Sequence, residues 1–231
     1  MVSRTFLCLM AGAALCTASA ASAAVNIDFG SQTGNLGPTA IYTSGGLTVT
    51  AAGYSDGFDH IAATPLFGKN DAGDEKGVGL AADPSNQNEI YWGYSHLGAF
   101  IELDVSALFG LVPSAQFFMG STTGGAPSGE QWAVYGTNVA ACGWFCTDVP
   151  PLTGFDEETH DLFGFGTYKY YDFYSLGTGG NAADGNVLLA GLVLPSPVPE
   201  PGTWALMLLG FGAIGAAMRR NRKKLALTQL V

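Results

Sequence analysis

The chain has 231 residues, with 19 acidic against 9 basic side chains and 48% hydrophobic residues. It is therefore long enough to bury a core, and too acidic to neutralise the phosphates of a nucleic acid. Residues 24–196 hold 18 of the acids but only Lys69, Lys76 and Lys169 among the bases, a formal charge of about −15 that argues against anionic polymers and favours solubility or divalent cations.

In chain order, Arg4 precedes the apolar run from Phe6 to Leu15, and Ala21-Ser22-Ala23 offers a small-residue cleavage site. Residues 1–23 thus read as a secretory signal peptide cut before Ala24, with a cut before Ala21 as the second choice. The run is too short for a first transmembrane helix, and Leu15 ahead of Cys16 does not fit a lipoprotein signal.

Residues 24–194 follow as one acidic domain. Between residues 24 and 196 there are 28 glycines and 24 aromatics, and no stretch holds a 3.6-residue apolar period long enough for an amphipathic helix. Short apolar or alternating runs between Gly, Asn, Asp and Pro clusters predict strands instead. They are Val25 to Phe29, Leu47 to Ala52 after the turn Ser44-Gly45-Gly46, Glu89 to Trp92, Ala99 to Val105, Gln116 to Met119, Gln131 to Gly136, Tyr168 to Tyr174 and Asn186 to Leu194. In the fourth of these, Ile101, Leu103 and Val105 are expected inside, with Glu102 and Asp104 on a wet outer face. The Tyr168 to Tyr174 run should place Lys169, Tyr171 and Phe173 on one face and Tyr168, Tyr170, Asp172 and Tyr174 on the other. About eight strands at this spacing predict an all-β chain with a single β-sandwich of jelly-roll type.

Three groups of side chains in this domain bear on chemistry. Cys142 and Cys146 flank Gly143-Trp144-Phe145, and in an oxidising compartment such a pair reads as a disulfide closing a small loop. Asp71, Asp74, Glu75, Asp83, Asn88 and Glu89 lie in two polar, glycine-containing loops that carry the oxygens calcium takes, although neither loop has the EF-hand register and solvated turns account for the same residues. Tyr91, Trp92, Tyr94, Trp144 and Tyr171 supply flat rings of the kind that stack on sugars, while half of any such set is core in a sandwich. For catalysis little is present: His60, His96 and His160 are scattered, no G-x-S-x-G elbow or H-E-x-x-H helix occurs, and Glu157 to Asp161 reads as an acidic loop. The expectation is a non-enzymatic domain without a cofactor, calcium excepted. A glycan-binding module is the first alternative and a glycan-active hydrolase the second.

The C-terminal segment is the most informative. Residues 195–203 form a stiff Pro-rich spacer in which Pro199 and Pro201 flank Glu200, fixing φ and removing two backbone donors, so this point is extended and open to an enzyme that grips the backbone. Residues 204–218 are uncharged, begin with Trp204 at the position of an interfacial aromatic, and predict a short transmembrane helix of roughly 22 Å. Residues 219–231 open with Arg219 and Arg220 in a group of five cations that belongs on the cytoplasmic side, so the bulk of the chain is expected outside the cytoplasm. Pro199-Glu200-Pro201, Trp204-Ala205-Leu206-Met207, Gly210-Phe211-Gly212 and Arg219-Arg220 together resemble the PEP-CTERM sorting domain, also labelled the ice-binding protein C-terminal domain. The resemblance covers about the last 30 residues and departs from the family at Leu206 and in the extension from Leu225 to Val231. It implies a Gram-negative surface or secreted protein that leaves through the Sec export machinery and is tethered to the inner membrane facing the periplasm. Exosortase, a membrane cysteine transpeptidase, then acts at the Pro-Glu-Pro, releasing the protein to the cell surface or the extracellular matrix, where polysaccharide is a possible neighbour. The delivery tag itself says nothing about ice.

Overall fold

The computed structural model describes residues 24–57, 60–71, 75–81, 87–91, 99–122, 130–143, 150–178, 185–195, 207–216 and 218–219. Two compact units divide the chain, residues 1–196 and 197–231. Within the described residues the first unit is built from strands β1 (Val25–Asp28), β2 (Gly34–Gly37), β3 (Thr39–Ser44), β4 (Leu47–Gly57), β5 (His60–Ala63), β6 (Leu66–Asn70), β7 (Lys76–Leu80), β8 (Ile90–Tyr91), β9 (Phe100–Asp104), β10 (Gln116–Gly120), β11 (Glu130–Thr137), β12 (Leu152–Gly154), β13 (His160–Asp161), β14 (Tyr170–Thr178) and β15 (Asn186–Leu194).

These strands form two antiparallel sheets. The first runs β13-β10-β15-β7-β6-β2, with β1 and β8 also paired to β15; the second runs β12-β11-β14-β9-β4-β3, with β5 on β4. Local chemistry explains the pairings. Gly45 and Gly46 both have positive φ, 57° and 79°, which is what a two-residue hairpin turn needs, and they fix the β3·β4 register with Ser44 opposite Leu47. Inner faces of both sheets meet in one core: Phe117 of β10 lies edge-on to Trp132 of β11 at 5.3 Å and to Phe173 of β14 at 5.2 Å. Ile27, Val78 and Leu192 from the first sheet and Val49, Leu103 and Tyr171 from the second join the same cluster. Each such side chain contributes roughly 1.5–3 kcal/mol by leaving water.

The all-β expectation and its two-layer packing are met, with differences that have physical causes. Strand β4 runs on to Gly57 because β5 folds back on its end, pairing Tyr54 with Ala63. Strands β6 and β7 fall where glycines suggest turns. These glycines are there for close approach: a Cβ on Gly68 would lie 1.9 Å from the Gln32 carbonyl oxygen. The wet outer face expected on β9 is the main correction. Glu102 is only 4% exposed, because the chain leaving β11 folds back over this face and the Ala141 N–H donates to Glu102 Oε2 at 2.6 Å. A second apolar cluster of Phe100, Ala133 and Tyr174, bordered by Tyr54, Ile61, Tyr135 and Leu176, fills that outer side.

In the second unit, residues 207–216 are helical, about 15 Å at the usual rise, with Leu208, Leu209 and Phe211 exposed. Among the described residues no helix is long and apolar enough to cross a membrane. The signal-peptide residues 1–23 lie outside the described residues.

Candidate functional site

Two buried acidic clusters stand out, one on each sheet. The first gathers Lys69 from β6, Glu75 before β7, Glu89 before β8 and Ser121 after β10. Lys69 Nζ donates to Glu89 Oε1 at 2.5 Å and pairs with Glu75 as well. The Ser121 hydroxyl lies 2.8 Å from Glu75 Oε1 and 3.2 Å from Glu89 Oε1. Of the six expected calcium ligands, this arrangement brings Glu75 and Glu89 together, but around an ammonium group of the chain itself. Asp71 is exposed and donates its backbone N–H to the Glu75 carbonyl at 2.9 Å, and Asn88 is half-buried beside Glu89. Asp74 and Asp83 lie outside the described residues. No group of three or more His, Cys, Asp or Glu side chains is placed to hold a metal among the described residues.

Burial pushes the Glu89 carboxyl up to about 7, against the pull of Lys69, and the neighbouring Glu75 charge adds to the rise. Burial opposes charge on Glu75 too, yet hydrogen bonds from Lys69 and Ser121 hold it below the ordinary range. One lysine therefore neutralises one carboxylate, and the deeper acid keeps its proton longer.

The backbone around this cluster is unusual. Asn88 and Ser121 have φ of 60° and 58°, and with Ala141 at 53° they are the non-glycine residues with positive φ among those described. All three lie next to a buried acid, which marks both clusters as places where local strain is offset by the surrounding contacts. A Cβ on Gly79 would stand 2.1 Å from the Asn88 carbonyl oxygen and 2.6 Å from the Glu89 Cα. Gly79→Ala is expected to cost about 1–3 kcal/mol by overpacking. It should also move the pH-dependent step of thermal unfolding that belongs to Glu89, and an unmoved step would show that the two backbones are not in contact.

The second cluster sits on the outer face of the second sheet. Glu102 of β9 and Asp172 of β14 are directly opposite in the ladder, and Asp172 is 0% exposed. Among the described residues neither Asp172 carboxylate oxygen has a hydrogen-bond partner, the Gly143 N–H approaching without meeting hydrogen-bond geometry. Burial, then the Glu102 charge, raises the Asp172 carboxyl well above its ordinary range; burial raises Glu102 in turn.

The expected sugar platform is not assembled by the described residues. Tyr91 is buried on β8, and Tyr171 is fully buried with its hydroxyl donating to the Phe163 carbonyl at 2.8 Å, so neither ring offers a face to a sugar. Trp92, Tyr94 and Trp144 lie outside the described residues. A cleft of about 430 Å³ does open on the first sheet, lined by Asn26, Asp28, Lys76, Phe118 and Glu157 among others, but Lys76 and Asp28 pair across it at 2.7 Å. His160 Nε2 is 2.6 Å from Asp156 Oδ1, with its ring against Trp132. Cys142 is disulfide-bonded, and Cys146 lies outside the described residues.

Lys69, Ser121, Glu102 and Asp172 were not singled out from the sequence. Two signals were there to use. Lys69 is one of three cations in a domain of 18 acids, and Asp172 interrupts the aromatic run Tyr168 to Tyr174, where a carboxylate has little water.

In the sorting segment Arg219 is described, whereas Pro199, Glu200, Pro201, Trp204 and Arg220 lie outside the described residues. A family described as the PEP-CTERM protein-sorting motif matches residues 197–223. No curated protein and no solved structure matches the chain. The chain carries a PEP-CTERM sorting motif, which implies export and processing by exosortase.

Proposed function

We propose that this chain is an exported surface or extracellular-matrix protein, in which an acidic domain with a structural or adhesive, non-enzymatic role is delivered by its C-terminal tail. The matched sorting motif at residues 197–223 is the observation that carries this reading. Residues 1–23 act as the signal peptide, residues 204–218 hold the protein in the inner membrane facing the periplasm, and the cations of 219–231 stay inside. The nested ladders β11·β14 in one sheet and β10·β15 in the other support a jelly-roll type of sandwich. An ammonium group between Glu75 and Glu89, and a carboxyl pair sealed from solvent at Glu102 and Asp172, support acids used for packing rather than for turnover.

Intact-mass analysis and fractionation of the native protein in its host test the route. The expected mature form begins near Ala24 and ends near Pro199 to Pro201, outside the membrane fraction. A product that retains Val231 in the membrane fraction would point to a permanent anchor, and one that retains Met1 in the cytosol would end the reading.

A further inference from the structure

We propose that Asp172 keeps its proton beside a charged Glu102, and that this proton holds the stretch Ala141 to Gly143 down on the outer face of the second sheet, so that the segment closes in acid and releases as the pH rises. The two residues are direct cross-strand partners, which sets their Cβ atoms about 4.5–5.5 Å apart on one face of the sheet. Two adjacent carboxylates in a dry site cannot both stay charged without a counter-ion. Among the described residues no Lys, Arg or His forms an ion pair with either.

The environment assigns the proton. Glu102 accepts the Ala141 N–H at 2.6 Å, so the remaining negative charge belongs there. Asp172, fully buried and with neither oxygen hydrogen-bonded among the described residues, is the acid that keeps its proton. The groups facing the pair are Tyr54 from β4, Asp104 from β9, and Tyr170 from β14. Tyr174 of β14 and Tyr135 of β11 complete the surroundings, their rings meeting edge-on at 5.4 Å. Every charged group in that set is acidic, so losing the proton creates repulsion that nothing described there neutralises. Within the covering segment Ala141 holds a left-handed φ of 53° that its hydrogen bond to Glu102 offsets, so the strain there favours release once that bond weakens. A folded-state carboxyl raised in this way stabilises the closed form below the ordinary carboxylate range and loses that contribution as pH climbs through the raised value.

Hydrogen–deuterium exchange of the full chain in mild detergent between pH 5.5 and 8.5, corrected for intrinsic rates, tests this at the peptide covering residues 138–143. In the wild type, protection should fall from the acid end of this range by up to about tenfold per pH unit, and level off once the pH passes the raised value. Asp172→Asn supplies a permanent donor in place of the protonated acid and should keep the segment protected throughout. Glu102→Gln removes the buried charge, and its profile should also be flat. Protection in the wild type that does not change with pH would overturn the proposal, as would a slope that survives in Asp172→Asn. Restoration of protection at pH 8 by calcium alone would overturn it too, by showing that a divalent cation rather than a proton joins the pair.

Discussion

Replacing Lys69 with methionine lowers the unfolding free energy by about 3 kcal/mol at pH 8, and by much less at pH 5, when urea unfolding of the full chain in detergent is compared with the wild type. The stem of Lys69 is largely packed away and methionine fills the same volume, so the loss is one of charge rather than of packing. Glu89 is 1% exposed while the Glu75 side chain is 40% exposed, which places the effect at the lower end of what removing one partner of a buried pair costs. The pH dependence has a definite sign. A carboxyl raised to about 7 by burial contributes stability in full below its ordinary value of 4.5 and loses it as pH rises through 7. Without the ammonium group both glutamates hold their protons more tightly, so acid hides the lesion and base reveals it. A loss below 1 kcal/mol at pH 8, or one equal at both pH values, would mean that Lys69 is not what allows Glu75 and Glu89 to lie together.

Truncating Trp132 to alanine should cost about 4 kcal/mol, measured in the same way. The indole is fully buried, meets Phe117 at 5.3 Å and the His160 ring at 4.8 Å, and donates from Nε1 to the Asp156 carbonyl at 2.9 Å. It joins the second sheet's β11 to the first sheet's β10 and to the β12–β13 connection at once. The neighbouring strand is shaped around it: a Cβ on Gly154 would stand 2.1 Å from Trp132 Cζ2. Collapse into the vacated space is blocked by strands on both sides, so the cavity persists. Trp132→Phe keeps most of the buried area but leaves the Asp156 carbonyl without its donor, and should lose only about 1–2 kcal/mol. If alanine costs no more than phenylalanine, the indole is not the point at which the two sheets are joined.

Strand β15 is found at the ends read from the sequence, Asn186 and Leu194, because the apolar run from Val187 to Leu194, buried on both faces, leaves little choice. Strand β11 differs from its expected bounds by one residue at each end, and β10 by one at its C-terminal end. Among the strands not anticipated, β6 and β7 carry Gly68, Gly77 and Gly79, which answer a crossing backbone that local pattern does not reveal. Alternation did place Glu102 and Asp172 opposite the core-facing residues of their strands. It gave no sign that the outer face would be covered, since the cover comes from residues 138–143. The first cluster shows the same limit. The two acidic loops were recognised, but the group between their carboxylates was not, because Lys69 and Ser121 reach Glu75 and Glu89 across sequence separations of up to 46. The sorting segment, by contrast, was legible from order and spacing alone, since its parts lie side by side in the chain.

Val25 stands opposite Leu194 in the β1·β15 ladder, so the first and last strands of the domain start and finish at the same rim. Strand β15 has β10 along one edge and β8, β7 and β1 in succession along the other. Tension between the two termini would peel β1 away one hydrogen bond at a time, like a zipper. Tension entering through the residue after Leu194 and leaving through the body of the domain loads β15 in shear, and many bonds must then yield together. The same domain would therefore resist a load applied through its C-terminal strand and body, and yield to one applied between its two ends.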